Sequence, residues 1–256
     1  MKGTPANEKL FWNNRARNYP LPFEPGNLAK IGRILRLLER MGVCFKGRKV
    51  LDIGCGTGVY ALPLAAKAKS VLGLDSSREM LKIFRAERRS RAIDNVSCVL
   101  AAWSAAPSSS LAGRFDIALA SMTMAIKKKA DILKMEKAAG ERCVYIGWAG
   151  VRRNALLEKV YAKHGVKYRA PEGAAIVLKA LTELGRAPSV RFIRDCWERK
   201  ASAEDTMRDI EVGLKVNGAE MDRGWVENLL KKIARDGMIK QITSVRKALI
   251  TWRVPS

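Results

Sequence analysis

Three glycines spaced two positions apart follow a short apolar segment that contains an acid. Val50-Leu51-Asp52-Ile53 has the composition of a buried strand, and Gly54, Gly56 and Gly58 come directly after it. A backbone that turns sharply and lets a ligand lie against it has no room for side chains, which favours glycine at these positions. The stretch therefore predicts a binding site for a nucleotide-type ligand.

The spacing of the glycines distinguishes between two kinds of ligand. A dinucleotide fingerprint, Gly-x-Gly-x-x-Gly, needs a small residue one place after Gly58, and Val59 occupies that place. Asp52 lies two residues before Gly54, where its carboxylate suits an ammonium group better than a phosphate. The pattern favours a ligand with a positively charged group over a nicotinamide dinucleotide.

The chain resembles the class I, Rossmann-like methyltransferases that use S-adenosylmethionine. The resemblance rests on residues 50–58, on Leu72-Gly73-Leu74-Asp75-Ser76-Ser77 and on residues 115–121, which occur in the order and at the spacing of that family. It covers about residues 45–150. It implies an α/β fold with a doubly wound, mostly parallel seven-stranded sheet in the order 3-2-1-4-5-7-6, with strand seven antiparallel.

The resemblance also implies roles for individual residues. In the family, the glycine loop holds the methionine part of the cofactor, and the acid that ends the second strand accepts hydrogen bonds from both ribose hydroxyls. Asp75 occupies that position, and the two oxygens of a carboxylate can each accept a bond. The predicted cofactor-binding residues are Asp52, Gly54, Cys55, Gly56, Gly58, Tyr60, Asp75, Ser76, Met80, Trp103 and Ser121.

The segment after the third strand departs from the family pattern. Many relatives have an acid or amide there that binds the adenine amino group, whereas this chain has Ala101-Ala102-Trp103-Ser104. One hypothesis is that adenine stacks on Trp103 and uses Ser104 or the backbone for its polar edge. The alternative is that Trp103 packs in the core.

The acceptor is expected near the ends of the fourth and fifth strands. The residues predicted to line its pocket are Tyr19, Met122, Thr123 and Trp148. Tyr19 belongs to an N-terminal arm of the kind that folds over the cofactor in relatives. Core packing is the alternative for these side chains, as it is for Tyr60 and Met80.

No catalytic residue is predicted. His164, the only histidine, lies in a basic region and is interpreted as a surface residue rather than a general base. The Asn-Pro-Pro-Tyr and Asp-Pro-Pro-Tyr signatures of amino-methylating nucleic-acid enzymes are absent after strand four, and no cysteine lies in a cytosine-C5 nucleophile motif. Because methyl transfer from a sulfonium can be accelerated by positioning alone, an enzyme remains the prediction.

The basic composition leaves the acceptor open. The chain has a formal net charge of +23 and a pI near 10.2, which favours polyanionic partners. The basic residues are spread along the chain, so a nucleic-acid surface and a generally basic exterior are both open. The run 127–129, three lysines, is either a solvated loop or a phosphate clamp.

Composition also bounds the class of protein. With 48% hydrophobic and 29% charged residues in 256, the chain is globular. No apolar run reaches the length of about 18 residues that a membrane span needs, so no membrane partner is expected. The five cysteines form no Cys-x-x-Cys pair, which predicts free thiols, no metal site and a cytoplasmic location.

Strand and helix patterns alternate from residue 49 onward. The sequence predicts a single methyltransferase domain over 1–256, with an N-terminal helical arm at 1–45, a cofactor-binding core at 46–150 and a C-terminal part at 151–256 with a helical insertion at about 202–237. The predicted strands are 50–53, 70–74, 96–101, 115–120, 143–148, 190–197 and 248–254. The predicted helices are 27–40, with Asn27 as N-cap, and 59–69, 78–91, 130–139, 151–163, 173–184, 204–214 and 225–234.

These patterns together predict an S-adenosylmethionine-dependent methyltransferase that acts on an unidentified, small-molecule acceptor. An RNA acceptor is the main alternative, because of the basic charge. A nicotinamide-dependent reductase and a non-catalytic cofactor-binding protein are the alternatives from other classes.

Overall fold

A computed structural model of the protein describes residue 9 and residues 12–255. The first part of the predicted N-terminal arm, residues 1–8, 10 and 11, therefore lies outside the described residues. After a 3-10 turn at Ala16–Asn18, the strands are β1 (Lys49–Ile53), β2 (Ser70–Asp75), β3 (Val96–Leu100), β4 (Phe115–Ser121), β5 (Ala139–Arg153), β6 (Ser189–Ser202) and β7 (Met238–Arg253). The helices are α1 (Pro25–Arg40), α2 (Ala61–Leu64), α3 (Arg78–Ser90), α4 (Lys129–Ala138), α5 (Ala155–Lys163), α6 (Gly173–Glu183), α7 (Ala203–Val216) and α8 (Arg223–Ile233).

Within the described part of the chain, seven strands form one mixed sheet in the order β3-β2-β1-β4-β5-β7-β6. Strand β1 is parallel to β2 and to β4, and the pairs β2–β3 and β4–β5 are also parallel. Residues Val50–Ile53 are buried on both faces, as expected for a central parallel strand. The predicted fold class and strand order are confirmed.

The last three strands are longer than their hydrophobic patterns predict, and β7 shows why. Its first half alternates between buried and exposed residues, but the buried set includes Gln241 and Thr243, whereas Ile242 is 58% exposed. The buried Asn154 amide donates to Thr243 Oγ1 at 2.9 Å and to Gln241 Oε1 at 3.5 Å. Because these polar residues satisfy one another inside the protein, the strand has no apolar stripe for sequence reasoning to detect.

Two helix boundaries also differ from the predictions. The predicted helix 59–69 contracts to α2, four residues long. Pro63 has no N–H to donate to the carbonyl of Val59, so the helix cannot start as early as predicted. Asn27 is not the N-cap of α1. The helix begins two residues earlier at Pro25, which favours the first helical turn, and the Asn27 amide donates instead to Leu21 O at 3.1 Å and Glu24 Oε2 at 2.7 Å.

The chain divides into two compact units. The larger contains the described residues up to 147, residues 173–191 and residues 248–255, and therefore holds β1 to β4 and the glycine loop. The smaller contains residues 148–172 and 192–247 and has its own apolar core, in which Val160, Ile210, Leu214, Val226, Leu230 and Ile239 are buried. The predicted insertion at 202–237 falls inside the smaller unit, and the single domain over 1–256 stays a prediction.

A buried acid joins three elements of the larger unit. Glu136, on α4, accepts hydrogen bonds from Nε and Nη2 of Arg186, both at 2.9 Å, and from Trp252 Nε1 at 3.0 Å. The bidentate ion pair with Arg186 compensates the charge of the Glu136 carboxylate, which is only 6% exposed. It fastens α4 to the segment after α6 and to β7.

No helix in the described residues is long and apolar enough to cross a lipid bilayer.

Candidate functional site

The glycine loop is bonded to the end of β2. The backbone N–H groups of Gly54 and Cys55 donate to Leu74 O at 2.7 and 3.0 Å, and the N–H of Gly56 donates to Asp75 Oδ2 at 2.8 Å. In a parallel sheet the carboxyl ends of neighbouring strands meet at one edge, so the residues after β1 and β2 lie together. This edge is where the sequence predicts the cofactor.

The carboxylate of Asp75 is held by backbone donors. Its Oδ1 accepts from Ser77 N at 2.8 Å and its Oδ2 accepts from Gly56 N. Burial raises the pKa of Asp75, while the N–H groups of Ser77, Gly56 and Ser76 act in the opposite direction. Since an ionised carboxylate has about four acceptor positions, Asp75 can still accept bonds from two hydroxyls.

Asp52 is a second buried acid beside the same loop. It is 2% exposed, and burial followed by the charge of Asp75 raises its pKa to about 7, while a hydrogen bond from the N–H of Ala61 opposes the shift. Among residues 12–255, neither Asp52 nor Asp75 forms an ion pair with lysine or arginine. A buried and a half-buried acid that have no cationic partner within the described residues suit a ligand that carries positive charge.

The raised pKa of Asp52 makes folding stability fall as pH rises. Below about pH 4 the carboxyl is protonated in both the folded and unfolded states, and between pH 4 and pH 7 only the folded state holds the proton. We expect the unfolding free energy to decrease across this window by on the order of 4 kcal/mol relative to Asp52→Asn. Urea unfolding of both proteins from pH 4.5 to 8 measures this difference, and parallel pH profiles would contradict it.

A short N-terminal segment, residues 13–20, is bonded to both loops at this edge. The Thr57 hydroxyl donates to Pro20 O at 2.8 Å, and the Ser77 hydroxyl donates to Asn13 Oδ1 at 2.7 Å. A side chain at Gly56 would lie 3.7 Å from the Tyr19 ring. The segment therefore covers the glycine loop with an aromatic ring.

The environment of Tyr19 places it close to both acids. Its pKa is raised by burial first and then by the charges of Asp75 and Asp52, while Arg15 opposes the shift. The Tyr19 ring also meets Trp12 edge to face at 6.1 Å between ring centroids. The structure thus brings Tyr19, Gly56, Asp52 and Asp75 together.

Three residues of this arrangement were missed from the sequence: Asn13, Thr57 and Ser77. Ser77 had a detectable signal, because its Oγ accepts from Met80 N at 3.2 Å as the N-cap of α3, and serine before an amphipathic run is typical of that position. Thr57 lies inside the glycine motif, fully buried. Asn13 gives no local signal, since its partners are 64 and 66 residues away.

The segment after β4 approaches the glycine loop from the other side. A Cβ atom on Gly54 would lie 2.2 Å from Thr123 Oγ1, and Gly54 has a φ of +71°. Met122 has a φ of +49°, a conformation that costs a non-glycine residue roughly 1–3 kcal/mol and occurs preferentially at functional sites. The Ser121 hydroxyl is buried with no hydrogen-bond partner among the described residues.

The other predicted cofactor-binding residues differ in what they face: some lie near Gly56 and Tyr19, and others pack against neighbouring helices and strands. The Met80 sulfur lies 4.0 Å from the position of a Gly56 Cβ, so Met80 faces the same space as Tyr19. Gly58, in contrast, faces apolar side chains of α2 and α3 at 2.8 Å. The Cys55 sulfur packs against Gly73 of β2, and burial raises the pKa of its thiol well above the usual range. Tyr60 is 8% exposed and precedes α2.

Trp103 is buried beside a lysine. It is 4% exposed, the Lys134 ammonium lies 4.4 Å from its ring centroid, and Lys134 donates to the carbonyl oxygens of Trp103 and Ala106. Burial lowers the pKa of Lys134. The indole N–H has no partner in the described part of the chain. Stacking of adenine on Trp103 stays a prediction.

Trp148 belongs to the smaller unit. Its ring meets Trp197 edge to face at 6.1 Å, and the Arg152 guanidinium lies 5.5 Å from its centroid.

In the same unit, His164 uses both ring nitrogens: Nδ1 bonds to Val160 O at 2.7 Å and Nε2 accepts from Asp222 N at 2.9 Å. These bonds give His164 a structural role, and its interpretation as a surface residue rather than a general base stays a prediction.

The lysine run 127–129 precedes α4. The backbone N–H groups of Lys127 and Lys128 both donate to Asp131 Oδ2, at 3.0 and 3.1 Å, and the three side chains are exposed. The turn is thus fixed by its backbone, and the choice between a solvated loop and a phosphate clamp stays open.

Known proteins resemble the chain over the region that forms this site. A family model described as a methyltransferase domain matches residues 45–209. A 23S rRNA (uracil-C5)-methyltransferase of Vibrio vulnificus is 36% identical over 70 residues, which is 25% of this chain and 16% of the relative. A ubiquinone biosynthesis O-methyltransferase of Aliivibrio fischeri is 37% identical over 83 residues, 32% of this chain and 35% of the relative. The chain thus matches well under half of the length of these two relatives.

Solved structures share the fold. Magnesium protoporphyrin IX methyltransferase from Synechocystis PCC 6803, with bound SAH, has a TM-score of 0.54 and 17% identity, and the match covers 95% of this chain and 98% of that one.

Proposed function

We propose that this chain, which belongs to the class I S-adenosylmethionine-dependent methyltransferases, methylates a small-molecule acceptor. S-adenosylmethionine is the cofactor, and when bound it supplies a methyl group on a positively charged sulfonium. Because the chain belongs to this family, the alternative of a nicotinamide-dependent reductase is excluded.

The residues at the carboxyl edge of β1 and β2 fit this cofactor. Asp75 is held by two backbone N–H groups with acceptor positions left for a ribose diol. Asp52 provides a buried carboxyl for a cationic amino group, and the Tyr19 ring lies against Gly56 of the glycine loop. In this proposal Asp75 orients the ribose, Asp52 balances the positive charge, and Tyr19 excludes water from the loop.

The proposal of a small acceptor rests on residues 13–20, which are attached across the loops that follow β1 and β2. Hydrogen bonds from Thr57 to Pro20 and from Ser77 to Asn13 hold the segment at both ends. A site covered in this way is more accessible to a small molecule than to a folded RNA. The unpartnered Ser121 hydroxyl, after the fourth strand, can bond to a polar group of the acceptor.

Methyl transfer to a fractionated cell extract tests the proposal. The protein is incubated with extract and S-adenosylmethionine labelled on the methyl group, and the label is followed in RNA, protein and small-molecule fractions. We expect the label in the small-molecule fraction, unchanged when the extract is treated with ribonuclease beforehand. Label found in RNA and abolished by ribonuclease would contradict a small acceptor.

RNA is the second candidate acceptor, and the net charge of +23 favours it. Most of the excess of basic over acidic residues lies in the larger unit, which also contains the glycine loop. Phosphate contacts release counterions, so the logarithm of an RNA association constant should fall linearly with the logarithm of salt concentration, by about 0.7 per contact with a single strand. A shallow slope, corresponding to one contact or fewer, would argue against RNA.

A further inference from the structure

A cavity lies at the opposite end of the parallel strands from the glycine loop. It has a volume of about 330 Å³ and lies within the larger unit, between the end of α1, β5, the start of β6 and the end of β7. Its lining includes Arg142, Ser189, Thr251, Trp252 and Arg253. Arg142 pairs with Ile117 near the amino end of β4, whereas the glycine loop follows the carboxyl end of β1, so the two sites are separate.

Two arginines of this cavity have no acidic partner in the part of the chain that the structure describes. Among residues 12–255, neither Arg142 nor Arg253 forms an ion pair or a side-chain hydrogen bond. The neighbouring acids are already occupied, because Glu141 pairs with Arg48 at 3.1 Å and Glu136 pairs with Arg186 at 2.9 Å. Two positive charges therefore line the cavity, and no acid of residues 12–255 compensates them.

The head of Arg142 packs against the backbone beside it. A Cβ atom on Gly42, just after α1, would lie 3.1 Å from Arg142 Nη2, so the guanidinium lies directly against this glycine. A guanidinium presents its N–H groups in a planar fork, which matches the oxygens of a phosphate.

A buried hydroxyl at the same cavity also has no partner among residues 12–255. Thr251 is 1% exposed, and its Oγ1 makes no hydrogen bond within the described residues. A buried hydroxyl without a partner destabilises the protein, and a ligand oxygen in the cavity would satisfy it. The exposed Ser189, across the cavity, offers a second hydroxyl.

We propose that this cavity binds a phosphate monoester. Two uncompensated guanidinium groups match the charge of a monoester, which is about −1.5 to −2 at neutral pH, better than the single charge of a phosphodiester. Arg142 and Arg253 bind the phosphate oxygens, and the hydroxyls of Thr251 and Ser189 donate to the oxygens that remain. The proposal involves binding only and does not depend on the identity of the methyl acceptor.

Equilibrium dialysis of the full chain with labelled AMP and with inorganic phosphate, at constant ionic strength, tests this site. We expect one molecule bound per chain, affinity at least tenfold lower for Arg253→Ala, and affinity within twofold of the parent for Arg89→Ala. Arg89 is an exposed arginine on α3 outside the cavity, so it controls for the loss of one positive charge. Equal affinities for the two variants would overturn the proposal.

The Thr251→Val variant separates a ligand-binding hydroxyl from a structural one. It keeps the side-chain shape and removes the unpartnered hydroxyl, so we expect a higher melting temperature together with at least threefold weaker AMP binding. Weaker binding with no loss of stability supports the site. Unchanged binding would show that the hydroxyl does not contact the ligand and would overturn its assignment.

Competition by a short RNA distinguishes a monoester from a nucleic-acid backbone. We expect an oligonucleotide with a 5′-phosphate to displace AMP and the same oligonucleotide with a 5′-hydroxyl to fail. If both displace AMP equally, the arginines bind phosphodiesters, and the monoester assignment is wrong.

Discussion

Replacing Asp75 by alanine is expected to weaken S-adenosylmethionine binding by about 1.5–3 kcal/mol, or roughly 10- to 150-fold in dissociation constant. The carboxylate is fixed by the N–H groups of Gly56 and Ser77, both at 2.8 Å, so its remaining acceptor positions are already oriented. Hydrogen bonds from ribose hydroxyls to an ionised group are of this strength. Isothermal titration calorimetry measures the loss directly.

Asp116 provides a matched control for this prediction. It is also half-buried, and its Oδ2 accepts from the backbone N–H of Lys49 at 2.7 Å, but it lies at the start of β4, away from the loop edge. Asp116→Ala should therefore leave cofactor affinity unchanged, although it also removes an acceptor from a backbone donor. If both variants lose the same cofactor affinity, the effect of Asp75 comes from its bonds to backbone N–H groups and not from contact with the ribose.

Gly54→Ala is expected to lower the unfolding free energy by about 2–5 kcal/mol, the second large effect. The left-handed φ of +71° costs an alanine about 1–2 kcal/mol, and overpacking against Thr123, 2.2 Å from the new Cβ, adds about 1–3 kcal/mol. Urea unfolding measures the sum as a lower midpoint at constant slope.

The chain contains a control that isolates the steric part of this effect. Gly47 has the same φ of +71° with nothing within 4 Å of an added Cβ, so Gly47→Ala should lose only about 1–2 kcal/mol. Thr123→Gly added to Gly54→Ala should recover the difference between the two alanine variants. If Gly54→Ala is no more destabilising than Gly47→Ala, Thr123 does not restrict the loop.

The motifs around the glycine loop, through the family that they resemble, were sufficient to predict the fold and the donor of the methyl group. Asp52, the glycines and Asp75 lie at strand ends, and in a parallel sheet the strand ends must converge, so their proximity follows from the order of strands. Tyr19 and Met80 also face Gly56, as a cofactor pocket would require. The roles of these residues toward the cofactor stay predictions.

Other parts could not be predicted, for physical reasons. The first half of β7 buries Gln241 and Thr243, whose cost of burial is offset by Asn154, a partner almost 90 residues away. The cavity with Arg142 and Arg253 depends on two strands that are adjacent only in the folded sheet. Neither arrangement has a signature within a window of neighbouring residues.

The bonds of residues 13–20 to both loops have a consequence for protein engineering. A shortened protein that starts at residue 21 would retain every strand of the sheet, yet Thr57 and Ser77 would lose their partners, Pro20 O and Asn13 Oδ1. The backbone bonds from Gly54, Cys55 and Gly56 would still join the glycine loop to the end of β2, but the Tyr19 ring would no longer cover the loop. Such a truncation should fold while losing cofactor affinity, so affinity tags and fusion partners are better attached at the C-terminus.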